Sequence, residues 1–105
     1  MATFMIRNAT TGAVIYSGNY NSFKDCVADA DRLGVVMDGA DLAGKDLAGI
    51  TLMGSYVGAK LDNANLTGAN MKGNFKNASL KEATVKFAHT REGKFEGAKT
   101  EGWKT

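Results

Sequence analysis

The sequence predicts a stacked-repeat protein that carries a small hairpin-and-helix head, and three observations predict it. From Val35 to Gly102 a small residue, any residue, a large apolar residue and two more recur thirteen or fourteen times, the self-similarity expected of stacked repeats. The chain holds 13 glycines and no proline, which suits a run of tight turns whose backbone amides are all needed as donors. Ahead of the repeat, residues 1–34 carry two short β-prone runs and one amphipathic segment.

The repeat is clearest at the small and large pairs Ala40/Leu42, Ala59/Leu61, Ala64/Leu66, Ala69/Met71, Ala78/Leu80 and Ala83/Val85. A period of five fits neither a helix nor a strand. The chain resembles the pentapeptide-repeat family, whose signature Ala-(Asp/Asn)-Leu-x-x is met as Ala40-Asp41-Leu42, Ala64-Asn65-Leu66 and Ala69-Asn70-Met71, over about two-thirds of the chain. That resemblance implies a mainly β fold, a right-handed quadrilateral β-helix in which each large residue points inward and four repeats complete one square turn. The expected organisation is residues 1–34 as a hairpin and helix cap and 35–105 as the solenoid, forming one compact unit.

On that premise the inward residues run Met37, Leu42, Leu47, Leu52, Tyr56, Leu61, Leu66, Met71, Phe75, Leu80, Val85, Thr90, Phe95 and Thr100. Every step is five except Leu52 to Tyr56 and Met71 to Phe75, which are four and lie nineteen residues apart. Both shortened corners therefore fall on one edge. Face one stacks Met37, Tyr56, Phe75 and Phe95; face two Leu42, Leu61, Leu80 and Thr100; face three Leu47, Leu66 and Val85; face four Leu52, Met71 and Thr90. The aromatics share face one, each preceded two residues earlier by Gly54, Gly73 or Gly93, which reads as large rings balanced by small neighbours. About three and a third turns at roughly 4.8 Å spacing make a rod roughly 16 Å tall.

In the head, Phe4-Met-Ile6 and Val14-Ile-Tyr16 flank the turn-rich Asn8-Ala-Thr-Thr-Gly12 and predict a β-hairpin. Ser22 stands as a helix N-cap with Asp25 three residues on, and Phe23, Cys26, Val27, Ala30 and Leu33 follow at helical spacing up to Gly34. Such a small unit cannot bury its own apolar face. It is expected to cap the first coil, with Phe23, Val27 and Leu33 covered. Cys26 reads as a buried small hydrophobe, since no neighbouring cation or histidine activates it.

Three features depart from the pattern. Lys45 sits where a small inward residue belongs, which predicts local distortion or a snorkelling side chain. Thr90 and Thr100 replace large apolar residues and weaken the core toward the C-terminus. Trp103 is large enough to lid the last turn, either within the monomer or across an end-to-end homodimer.

Outward positions of the first turn include Ala43, Ala48 and Met53, so the head is expected to pack laterally over faces two to four as well. In the third turn Lys76, Lys81, Lys86 and Arg91 follow the inward residues and form a belt around the rod, with Glu96 and Glu101 stacked above Lys76 and Lys81 as expected cross-strand partners. Lys86 and Arg91 remain free, with Lys72 beneath Arg91. The exposed Phe87, flanked by Lys72, Lys86, His89 and Arg91, is the most site-like constellation, a candidate partner-binding patch. His89 alone offers too few ligands for a metal.

Net charge is +2, with 13 Lys and Arg against 11 Asp and Glu, too little to imply a nucleic-acid partner. The balance is uneven: residues 1–36 are neutral, 37–71 carry minus two and 72–105 carry plus four. A single cysteine excludes an internal disulfide and fits a reducing compartment. No apolar run reaches membrane-spanning length and no signal-peptide pattern opens the chain, so a cytoplasmic protein without membrane contact is expected. No nucleophile with a positioned base, phosphate loop or carboxylate pair is present, so neither enzymatic activity nor a cofactor is expected.

The expected function is a rigid, non-enzymatic protein-binding module whose partner the sequence does not identify. The resemblance implies a small bacterial or bacteriophage member, which would act as an inhibitor of a host enzyme or defence complex. Family members that imitate duplex DNA and bind type II topoisomerases rely on a long acidic rod, whereas this rod is short and basic in its later turns. Nucleic-acid binding through those turns is the other alternative. A belt of cations that faces four ways argues against it, because counterion release needs several cations on one approachable face.

Overall fold

The computed structural model describes residues 1–105. Strand β1 (Ala2–Arg7) pairs antiparallel with β2 (Val14–Tyr20), with a register shift at Ile6/Arg7. Both strands run longer than the apolar runs alone suggest. The added residues Ser17 to Tyr20 pair with Ala2 to Met5, and Tyr20 is then anchored to the helix. Between the strands, the Asn8 side chain accepts from Thr10 and Thr11 amides at 2.8 and 3.0 Å, the local bonding that makes Asn a turn residue.

Helix α1 spans Phe23–Arg32. Ser22 caps it by accepting from the Asp25 amide at 3.1 Å. At the other end, Gly34 takes φ +79°, and the Gly34 and Val35 amides donate back to Asp31 and Ala30 carbonyls at 3.0 Å, the bonding pattern of a Schellman cap. Cys26, Val27 and Ala30 are buried and Phe23 is half-buried. Leu33, expected on the covered face, is 55 % exposed. The helix has already ended there, and Val35, beyond the glycine, packs against the core instead.

From Met37 onward the chain forms four-sided coils. Parallel bridges join Asp41 to Lys60 and Lys60 to Ser79, Asp46 to Asn65 and Asn65 to Thr84, and Ser55 to Asn74, all at nineteen residues. Bridges Asn74 to Lys94, Ser79 to Lys99 and Thr84 to Lys104 are at twenty. Strands β3 (Thr51–Leu52) and β4 (Asn70–Met71) form the fourth column in the same register. The four inward columns are therefore those the spacing predicts. All inward residues from Met37 to Val85 are buried, and their stack makes the core. Tyr56, Phe75 and Phe95 stack with centroids 5.2 Å apart at both steps. Thr90, Phe95 and Thr100 are only half-buried.

At each five-residue corner except the last on face four, Thr90 to Phe95, the second residue after the inward one adopts φ between +60° and +73°. Gly39, Gly44, Gly49, Gly58, Gly68, Gly97 and Gly102 hold most of these places, and Asn63, Asn77, Glu82 and Phe87 hold the others. The face-four corner has no such residue, either in its two four-residue copies or in the five-residue third one, where Glu92 takes the place. Its glycine serves a different purpose from the one the sequence suggests. A Cβ on Gly73 would collide with the Gly54 carbonyl oxygen and lie 3.1 Å from that of Leu52, so close backbone approach, ahead of ring volume, demands glycine there.

The head joins the first coil by main chain and side chain. The Asp41 amide donates to the Arg7 carbonyl at 2.7 Å and the Ala9 amide to that of Gly39 at 2.8 Å. Asp31 accepts from the Met53 and Gly54 amides and from the Tyr56 hydroxyl at 2.8 Å, so burial and this bond push the Tyr56 phenol well up. Lys45 stays exposed and lays its ammonium 4.6 Å over the Phe23 ring, a cation–π contact that explains a lysine at a small-residue position. Ala43 and Ala48 are half-covered, but Met53 is 58 % exposed. The head leans across the end of the coil and does not wrap face four.

A tyrosine relay binds hairpin to helix. Tyr16 and Tyr20 hydroxyls lie 2.6 Å apart, and the Tyr20 hydroxyl donates to Asp29 at 2.5 Å while Arg32 pairs with the same carboxylate. The Tyr20 bond first, and Arg32 second, hold the Asp29 carboxyl below its usual range. A depressed carboxyl stabilises above its unfolded value of about 3.9 and loses that contribution as pH falls through its folded value. Acidification below about pH 4 is therefore expected to speed amide exchange in β2 before the coils open, and Asp29→Asn to remove this pH dependence.

Candidate functional site

The corner between faces three and four of the third coil carries the candidate residues. Lys86 follows the inward Val85, and Phe87 occupies the left-handed corner position with φ 61°. An L-residue there crowds its Cβ against the backbone, at a cost of about 1–2 kcal/mol, and a bulky side chain is an outlier. Asn77 and Glu82, at equivalent corners, lean onto Gly97 and Gly102 of the following coil. Nothing covers Phe87 in that way. Its ring is 76 % exposed, with the Lys86 ammonium 5.4 Å from its centroid.

His89 lies on face four, paired in the ladder with Asn70, whose buried Oδ1 has no hydrogen-bond partner. A shallow cleft of about 190 Å3 gathers Lys72, Ala88, His89, Thr90, Arg91 and Glu92. Lys72, His89 and Arg91 thus meet in one concavity, while Lys86 and Phe87 form a separate contact on its rim. Lys72 is not free beneath Arg91: its ammonium pairs with Glu92 at 3.4 Å. Glu92, which periodicity gave no reason to single out, reduces the net charge of the cleft.

The expected partners of Lys76 and Lys81 are absent. Only the Arg32–Asp29 and Lys72–Glu92 pairs come within bridging distance, so Glu96 and Glu101 stack above the lysines without binding them. All four side chains reach into water, where holding two long chains together gains little. Trp103 is half-buried, edge-on to Phe95 with centroids 6.0 Å apart, and its buried Nε1 has no acceptor. No group of three histidine, cysteine or acidic side chains is placed to hold a metal ion. Cys26 lies inside the core, where burial raises its thiol pKa.

The strain at Phe87 was readable in the register. Its position follows Gly49 and Gly68 in one column of left-handed corners, and a bulky aromatic residue there departs from what the turn favours.

Residues 57–89 match the family described as pentapeptide repeats, in eight copies. This segment includes Lys72, Lys86, Phe87 and His89 but not Arg91. Among solved structures, a pentapeptide repeat protein from Nostoc Pcc 7120 is similar, at 26% identity and a TM-score of 0.44, over 62% of this chain and 59% of that one. The similarity thus spans less than two thirds of the Nostoc protein. No curated protein sequence matches.

Proposed function

From the match of residues 57–89 to pentapeptide repeats, we propose that the chain is a non-enzymatic protein-binding module whose contact surface centres on Phe87. The observation that carries this reading is a phenylalanine 76 % exposed and held at φ 61°. Glycine or asparagine is favoured at such a corner; Glu82 shares the strain but lies against Gly102 of the next coil, whereas the Phe87 ring is a large apolar group held strained in water, which points to use. The faces on either side are tied to the coil below by parallel bridges at Thr84 and His89, and Lys86 on the rim and Arg91 in the cleft add the cationic groups that, with an aromatic ring, anchor interfaces.

We read the solenoid as right-handed, as the family's is. By the same resemblance we place the protein among small bacterial or bacteriophage antagonists of a host enzyme or defence complex. Imitation of duplex DNA has little support, since the surface around Phe87 is cationic. Trp103 lies against Phe95, and we take it as a lid on the monomer's last turn.

A pull-down from lysate of the producing or infected cell tests the reading. The wild-type chain is expected to capture a protein partner that the doubly substituted Phe87→Ala, Arg91→Glu chain loses. Retention of the partner by that variant would remove the site.

A further inference from the structure

The largest concavity lies at the other end of the solenoid. A cleft of about 640 Å3 separates α1 from the first coil, and Ala28, Ile50, Thr51 and Met53 form its floor and walls. Its chemistry follows from the ladder. The residue before each inward one turns both its N–H and its C=O toward the preceding coil: the Lys60 amide donates to the Ala40 carbonyl at 2.8 Å, and the Lys60 carbonyl accepts from the Leu42 amide at 2.7 Å. Asn65 and Ser79 repeat this with Lys45 and Ala59.

Thr51 holds that position in the first coil, and β3 pairs with β4 on its other side. Its main-chain donor and acceptor therefore face the cleft as a free strand edge. On face two the same edge is already filled, because Asn8 bridges antiparallel to Ala40 and Arg7 and Ala9 bond to Asp41 and Gly39. On face four only the Asp31 side chain approaches, and it binds the amides of Met53 and Gly54.

We propose that this cleft takes a short extended segment of a partner protein as an added strand on Thr51. One apolar side chain of that segment rests on Ala28, Ile50 and Met53, and one basic side chain meets Asp25. Charge selects the basic residue. Of the charged groups that line the cleft, Lys24 donates to the Ala48 carbonyl at 3.0 Å, Asp31 is held as above and Arg32 pairs with Asp29. The Asp25 carboxylate makes no bond or ion pair within the chain. Met53, flexible and 58 % exposed, adapts to the apolar residue. Main-chain bonds with side-chain pockets alongside are the recognition mode of strand addition.

This surface is separate from Phe87, and the test keeps the two apart. The isotope-labelled chain is titrated with a pool of capped pentapeptides of valine, leucine and lysine, observed by amide NMR. The amide signals of Ala28, Ile50, Thr51 and Met53 are expected to shift. Asp25→Asn should weaken binding about fivefold, whereas Phe87→Ala should leave it unchanged. The Asp25 substitution spares the helix cap, which uses the Asp25 main-chain amide. N-methylation of the peptides at the residue that pairs with Thr51 should abolish binding. The proposal is overturned by an absence of shifts at millimolar peptide, by shifts confined to residues 86–91, or by equal binding of the N-methylated pool.

Discussion

Phe75→Ala is expected to cost about 4 kcal/mol of folding stability, the range found for a large ring removed from a closed core. Phe75 is fully buried, and its ring is the middle of a three-ring stack, with neighbours centred 5.2 Å above and below. No side chain from another face can collapse into the space, because each column is held by its own ladder. For a domain whose whole stability is of order 5–15 kcal/mol, such a loss is a large share. Denaturant unfolding measures it as a fall in midpoint. Phe95→Ala, one coil later and half-buried, should cost less, so the difference between the two variants reports how burial declines toward the C-terminus.

Gly73→Ala is the second large effect, and it separates two uses of glycine. A methyl group at Gly73 meets the main chain of Leu52, Met53 and Gly54, none of which can rotate away. The Gly73 and Asn74 amides also bond to Leu52 and Gly54 at 2.9 and 3.0 Å, so the strand cannot withdraw without losing them. A cost of about 3 kcal/mol is expected, the upper part of the range for overpacking. Gly44→Ala places its methyl group in open space at φ +68° and should cost only the left-handed strain, about 1 kcal/mol. Equal effects in thermal melts of the two variants would refute the close-approach explanation.

Much of the fold was legible because its signals are local or periodic. Two four-residue steps nineteen residues apart gave the coil length, and with it every inward column from Met37 to Thr100. Ser22 and Gly34 marked the helix ends through bonds that span three to five residues. What remained hidden depends on relations that periodicity does not encode. Leu33 fits the helical stripe yet lies past the helix end, in water. Gly73 and Gly93 were legible as small but not as a backbone crossing. The lysine belt and the glutamates above it share columns, but rotamers and solvent decide whether exposed charges meet, and Lys72 found Glu92 instead. At the candidate site, the exposure of Phe87 followed from its outward position. Its strain required only one further step, reading it in the column of Gly49 and Gly68.

That strain makes the link between structure and proposed function measurable. If the ring at residue 87 is kept for binding, the fold should improve when it is removed in a way that also relaxes the backbone. Melting temperature and partner capture measured on one preparation of Phe87→Gly test this most directly. Stability higher by about 1 kcal/mol, with capture lost, is the expected result. Unchanged capture, or a chain less stable than the wild type, would contradict it.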